Sequence, residues 1–166
     1  MEEEPLPKPT IDWKPPEIQA RFTLSETAQA PKRMSSGAAA WDLFADAPEP
    51  PLGSWICAQG KITTISTGVR LELPKDTFAL ILPRSGLAAK RGFTIVNAPG
   101  LIDSDYRGEL KVIATLLGPV NAYWEVAPGT RIAQLLILPQ ERISLLRAQE
   151  LTPTARGEKG LGSTGE

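Results

Sequence analysis

The 166-residue chain has no histidine and a single cysteine, Cys57. Without histidine there is no imidazole zinc ligand, no Ser-His or Cys-His nucleophilic pair and no imidazole base. Acid–base chemistry falls to carboxylates, tyrosine or lysine. A lone cysteine forms no internal disulfide, which leaves Cys57 to packing. Large charge is lacking too: 18 Lys and Arg stand against 19 Asp and Glu, a net charge of −1. Nothing points to a polyanion partner or an anionic membrane surface, and no direct nucleic-acid binding is expected. No apolar run approaches the roughly 20 residues of a membrane span. The acidic, proline-rich N-terminus lacks the apolar core of a signal peptide. The expectation is a soluble protein of the cytoplasm or nucleus.

What is present suits one domain with flexible ends: 42% of residues are hydrophobic, enough for a real core. Residues 1–17 carry Pro5, Pro7, Pro9, Pro15 and Pro16 among charges. That composition reads as a flexible arm, or as a docking peptide for a protein partner. The domain proper runs over 18–150, and a Gly-rich arm follows over 151–166. From Ile18 the pattern is mostly period two. Val69, Leu71 and Leu73 alternate with Arg70 and Glu72; Leu110, Val112, Ala114 and Leu116 alternate with Lys111, Ile113 and Thr115. Short apolar runs at Phe78–Leu82, Phe93–Val96, Ile132–Leu138 and Ile143–Leu146 add further strands. Turn residues fall between them, which indicates an all-β sandwich or barrel. One helix is predicted just after Pro83-Arg84, capped by Ser85 and ended by Gly92.

Several polar groups stand out against this frame. Asp42, in an apolar strand, is either an edge-strand acid facing water or a ligand for a cation or its waters; the residues favour neither. Arg84, Ser85 and Gly86 at a helix start suit phosphate oxygens, or form a plain cap with a surface arginine. Residues 97–109 read as a hairpin turned on Pro99 and Gly100, carrying Asp103, Asp105, Tyr106 and Arg107. Its two acids suggest a paired-carboxylate site or a polar turn with an ion pair. Gln134 needs a hydrogen-bonding partner inside a strand. Arg156 among Gly157, Gly160, Gly162 and Gly165 is a tail, or a lid that closes on phosphate.

Taken in order, these segments resemble the five motifs of the trimeric dUTP pyrophosphatase (dUTPase) family: Ala39-Ala-Trp-Asp-Leu-Phe-Ala45, Pro83-Arg-Ser-Gly-Leu-Ala88, residues 96–109, Gly129-Thr-Arg-Ile-Ala-Gln-Leu135 and residues 156–165. The resemblance runs from about Ile18 to the C-terminus. It implies an all-β, jelly-roll-like β-sandwich with one short helix, forming a homotrimer with C-terminal arm exchange. It also implies hydrolysis of dUTP to dUMP and pyrophosphate with Mg²⁺, which limits uracil incorporation into DNA and supplies dUMP for dTMP synthesis.

The implied roles are specific. Asp103 activates the water that attacks the α-phosphorus. Asn97 and the backbone of Gly100, Leu101 and Ile102 hold uracil, Tyr106 stacks under deoxyribose, and Leu161 covers the base. Arg84, Ser85, Gly86 and Gln134 hold phosphates, while Arg156, Ser163 and Thr164 clamp the γ-phosphate. Asp42 meets the Mg²⁺ through water. On this reading only the first acid of the 103/105 pair is catalytic, and Asp105 and Arg107 become structural partners. The chain departs from the family pattern at Leu161, where an aromatic or histidine is common, at Ala40 and Trp41, and at Thr130. Leucine forgoes ring stacking worth about 1–3 kcal/mol. Two rivals stand beside this reading. One is a dCTP deaminase of the same fold, which Gly86 and the nearly complete fifth motif oppose. The other is a non-catalytic binding relative, which the presence of Asp103, Arg84 and Arg156 opposes.

Overall fold

The computed structural model describes residues 18–50 and 53–158. Ten strands and one helix follow in order: β1 (Arg21–Leu24), β2 (Trp41–Phe44), β3 (Trp55–Ala58), β4 (Thr63–Glu72), β5 (Thr77–Pro83), α1 (Ser85–Arg91), β6 (Phe93–Ile95), β7 (Gly100–Ile102), β8 (Glu109–Leu116), β9 (Tyr123–Val126) and β10 (Arg131–Pro139). They form two four-stranded antiparallel sheets, ordered β1-β4-β8-β6 and β2-β10-β5-β7, and a small β3-β9 pair. The architecture is the expected all-β, jelly-roll-like sandwich with one short helix.

Period-two patterning explains the core. Along β8, Leu110, Val112, Ala114 and Leu116 point inward and are buried, while Lys111 is exposed. Leu43, Ile81, Ile132 and Leu135 from the other sheet meet them in one cluster. Phe93, fully buried, stands edge-on to Trp124 with ring centroids 5.1 Å apart. Cys57 is buried in this core, and burial pushes its thiol pKa up.

The helix ends as expected: Gly92 takes the left-handed conformation (φ 65°), and its N–H donates to the Ala88 carbonyl. Its start does not. Arg84 is the N-cap, no side chain caps the turn, and Ser85 is already helical. The hydroxyl is therefore not committed to closing the helix.

Two further expectations are corrected. Residues 143–146 form no strand: Ile143, Leu145 and Leu146 are 79%, 97% and 88% exposed. The segment is pinned only at its root, where Gln140 N–H donates to the Asp76 carbonyl and Arg142 makes two hydrogen bonds to the Asp76 carboxylate. Beyond Arg142 the described protomer offers it no partner strand. Nor is 97–109 a simple hairpin turn, because β7, in the middle of it, belongs to the other sheet. Strand β7 pairs with β5, whereas β6 and β8 pair with each other. The segment crosses from one sheet to the other and back.

Candidate functional site

Strand register brings Asp42 opposite Gln134, and Gln134 opposite Leu82, two residues before Arg84. Gln134 and Arg131 are three positions apart, so on a regular strand they face opposite sides. A bulge between Arg131 and Ala133 removes the mismatch: Arg131 pairs with Phe44 and so shares a face with Asp42. Arg131 Nη1 donates to Asp42 Oδ2 at 3.0 Å, and Gln134 Nε2 donates to Oδ1 at 3.2 Å. Arg84 Nε lies 3.6 Å from Oδ2, and its Nη1 donates to the Arg131 carbonyl at 2.8 Å. Asp42 is only 4% exposed. It does not face water, although β2 is an edge strand. A buried carboxylate is tolerated here because two guanidinium groups and an amide surround it. The cluster carries one positive charge in excess, which suits an anion. Ser85 and Gly86 are exposed next to it, and nothing among the described residues lies within 4 Å of where a Gly86 side chain would start.

The 97–109 segment is built differently. Gly100 is buried against Ile81, and a side chain there would press on Asn97 Nδ2 at 3.3 Å. Asn97, Leu101, Asp103 and Tyr106 are exposed, and Ile102 is half-buried. Backbone bonds shape the turn. Tyr106 N–H donates to the Asp103 carbonyl at 3.1 Å, and Tyr106 Oη donates to the Glu109 carbonyl at 3.0 Å. Gly108 permits this because any side chain there would strike the tyrosine ring. Asp105 and Arg107 do not pair: Arg107 Nη1 instead donates to the carbonyls of Ser104 and Tyr106. Those carbonyls lack ladder partners in the turn and take the guanidinium first. No ion pair among the described residues involves Asp103.

The two groups stand apart in one protomer. Ile102 is level with Ala79, so Asp103 is level with Phe78, whereas Arg84 lies six residues along. At about 3.3 Å per residue the two are separated by roughly 20 Å along the strand direction. Arg156 lies in an exposed bend further away in sequence, and Leu161, Ser163 and Thr164 fall outside the described residues. Residue types alone did not mark Arg131, Gly108 or Glu109 as parts of these groups. The Tyr-Arg-Gly-Glu run was visible, but the bulges that recruit these residues were not.

The dUTPase family model matches residues 26–165. The deoxyuridine 5'-triphosphate nucleotidohydrolase of Dictyoglomus turgidum is 47% identical over 137 residues, covering 81% of this chain and 89% of its own. The enzyme of the same name from Beijerinckia indica is 40% identical over 153 residues, covering 92% and 93%. Among solved structures, a Staphylococcus bacteriophage 80alpha dUTPase with dUPNHPP superposes with a TM-score of 0.76 at 24% identity, covering 89% of this chain and 99% of that one. At that identity the superposition speaks for the fold. With the family model spanning most of the sequence and relatives matched along nearly their full length, the chain belongs to the dUTPase family.

Proposed function

We propose that this protein hydrolyses dUTP to dUMP and pyrophosphate, in the cytoplasm or nucleus, and so keeps uracil out of DNA while supplying dUMP for dTMP synthesis. The observation that carries the reading is the match to nucleotidohydrolases of that name over nearly the whole chain. The chemistry of the residues agrees with it. Asp103 is an exposed carboxylate on a turn fixed by backbone bonds, in a chain without histidine. As general base it takes the proton of the water that attacks the α-phosphorus, and pyrophosphate leaves. Asn97 and the Gly100–Ile102 backbone read the base, and Tyr106 lies under the sugar. Arg84, Ser85, Gly86 and Gln134 meet the phosphates, with Arg156, Ser163, Thr164 and Leu161 closing over the nucleotide.

Magnesium fits the donor set in one way only. Among the described residues no group of three or more His, Cys, Asp or Glu side chains is placed to hold an ion. Asp42 is a single carboxylate whose oxygens already accept bonds from Arg131 and Gln134. It suits an ion carried by the triphosphate and met through water, the manner magnesium prefers. The ion, when bound, neutralises phosphate charge. A mutant dUTPase from phage phi11 of S. aureus, similar in fold, coordinates a structural Mg(II) ion.

The working unit is a homotrimer. Asp103 and Arg84 are too far apart in one protomer to share an α-phosphate, so the site is completed by a second copy. The exposed Ile143, Leu145, Leu146 and Leu151 form the face by which the C-terminal arm reaches a neighbour, and 151–166 then closes over its site. The proline-rich arm, 1–17, lies outside the described residues; it is the candidate contact for a protein partner.

A nucleotide panel tests the reaction. With Mg²⁺, wild-type protein should release pyrophosphate from dUTP and far less from dCTP, dTTP or UTP. No pyrophosphate from dUTP would end the reading, and ammonia from dCTP would replace it with deamination.

A further inference from the structure

In strand β4, Thr67, Gly68 and Val69 stand against Leu110 alone, because the β4–β8 register slips between Ser66 and Arg70. The slip takes the Gly68 N–H out of the ladder. The Glu109 carboxylate fills the gap: its Oε1 accepts the Gly68 N–H at 2.9 Å. Gly68 has φ 65°, and a side chain on it would strike Ser25, Ala28 and Asp46, so the bulge is locked from its other side as well.

Glu109 is also the last residue of the segment that carries Asp103. Its carbonyl accepts the Tyr106 hydroxyl at 3.0 Å, and Tyr106 N–H donates to the Asp103 carbonyl at 3.1 Å. An unbroken run of hydrogen bonds thus leads from the core bulge through Glu109 and Tyr106 to Asp103. Arg70 adds a second tie, donating to the Arg107 carbonyl at 3.3 Å. The Glu109 side chain is 19% exposed, and Lys111 Nζ stands 3.9 Å from its other oxygen.

We infer that Glu109 is a positioning residue: its carboxylate anchors the 103–109 turn to the β4 bulge and so sets the aim of Asp103 and the seat of Tyr106. The inference rests on the dUTPase reading for its kinetic effect, but the anchor itself is a property of the fold. An acceptor atom at the Oε1 position is what the bulge requires; the negative charge is not.

The test compares Glu109→Gln, Glu109→Asp and Glu109→Ala by dUTP kinetics at 25 °C, with thermal melts and amide exchange of Gly68 and Tyr106 read in parallel. Glu109→Gln keeps the acceptor and should stay within about twofold of wild type in kcat and KM. Glu109→Ala should lower kcat at least about tenfold and raise KM, with fast exchange at both amides. Glu109→Asp, one methylene short, should fall between the two and keeps the question answerable if the alanine variant does not fold. The inference is overturned if the alanine or aspartate variant melts lower yet keeps wild-type kcat, KM and amide protection. It is equally overturned if glutamine behaves like alanine, which would make the Lys111 pair the active contact. Inactive wild-type protein would sink the dUTPase reading alone, because the amide exchange still reads the anchor.

Discussion

Asp42 and Asp103 are both acids of the candidate site, and the fold holds them in opposite ways. Asp42 is buried and gripped by side chains from β10 and from Arg84 at the start of α1. Asp103 is exposed, and only its backbone is tied down. The first carboxylate is already engaged within the protomer, so it organises Arg84, Arg131 and Gln134 into a preformed cradle with one positive charge in excess. The second leaves its lone pairs open to solvent. Removing the first should damage the fold and the binding surface together. Removing the second should damage chemistry alone.

The largest effect is therefore expected at Asp103. Asp103→Asn should lower kcat on dUTP by about 10²–10⁴-fold, the usual worth of a general base, with an unchanged melting curve and retained nucleotide binding. A parallel loss of stability would place Asp103 in the structural class with Asp42 and break the comparison.

Asp42→Ala comes next. It leaves two guanidinium groups without their shared carboxylate, and breaking such a buried pair costs about 3 kcal/mol. Partial exposure of Arg131 lowers that toward 2 kcal/mol, roughly. Chemical denaturation reads the loss, and KM for dUTP should rise with it. An unchanged denaturation midpoint would show that the cradle is not preformed.

Asp46 sharpens the same contrast, because it is buried like Asp42 but has no proposed ligand. Burial pushes its pKa up, yet hydrogen bonds from Ser25, Thr27 and the Ala47 N–H outweigh this and leave it below the ordinary 3.8. Its carboxylate therefore stabilises the fold above the unfolded value and stops doing so as pH falls through the lower folded one. Asp46→Asn should cost about 1–2 kcal/mol at pH 7, with dUTP kinetics intact. The difference from wild type should shrink below about pH 4. A gap that stays constant down to pH 3 would mean that the ionised form is not what matters.

The longer strands with one face buried were legible, whereas β1, β3 and β9, of four residues each, were not read. Alternation in 69–73 and 110–116 matched β4 and β8 because water lies on one side and the core on the other. Ile143–Leu146 has the composition of a strand, but a strand needs a ladder, and no ladder for it exists in a single described copy. The 97–109 segment looked like a hairpin because its flanking strands, β6 and β8, do pair; that β7 between them joins the other sheet depends on long-range pairing that local sequence does not encode. The candidate acids were visible as residue types. Their environments were not, since both the Asp42 cradle and the Glu109 anchor depend on bulges that change which side chains share a face.

The central claim is that the Asp103 turn and the Asp42–Arg84 cradle serve one site from different copies of the chain. Coexpression of Asp103→Asn with Arg84→Ala, each nearly inactive alone, tests this directly. Mixed assemblies should contain sites that join an intact turn to an intact cradle, and pyrophosphate release from dUTP should return to a sizeable fraction of wild type. If mixed assemblies form and activity stays at the level of the separate variants, the two groups do not meet across copies and the account is wrong.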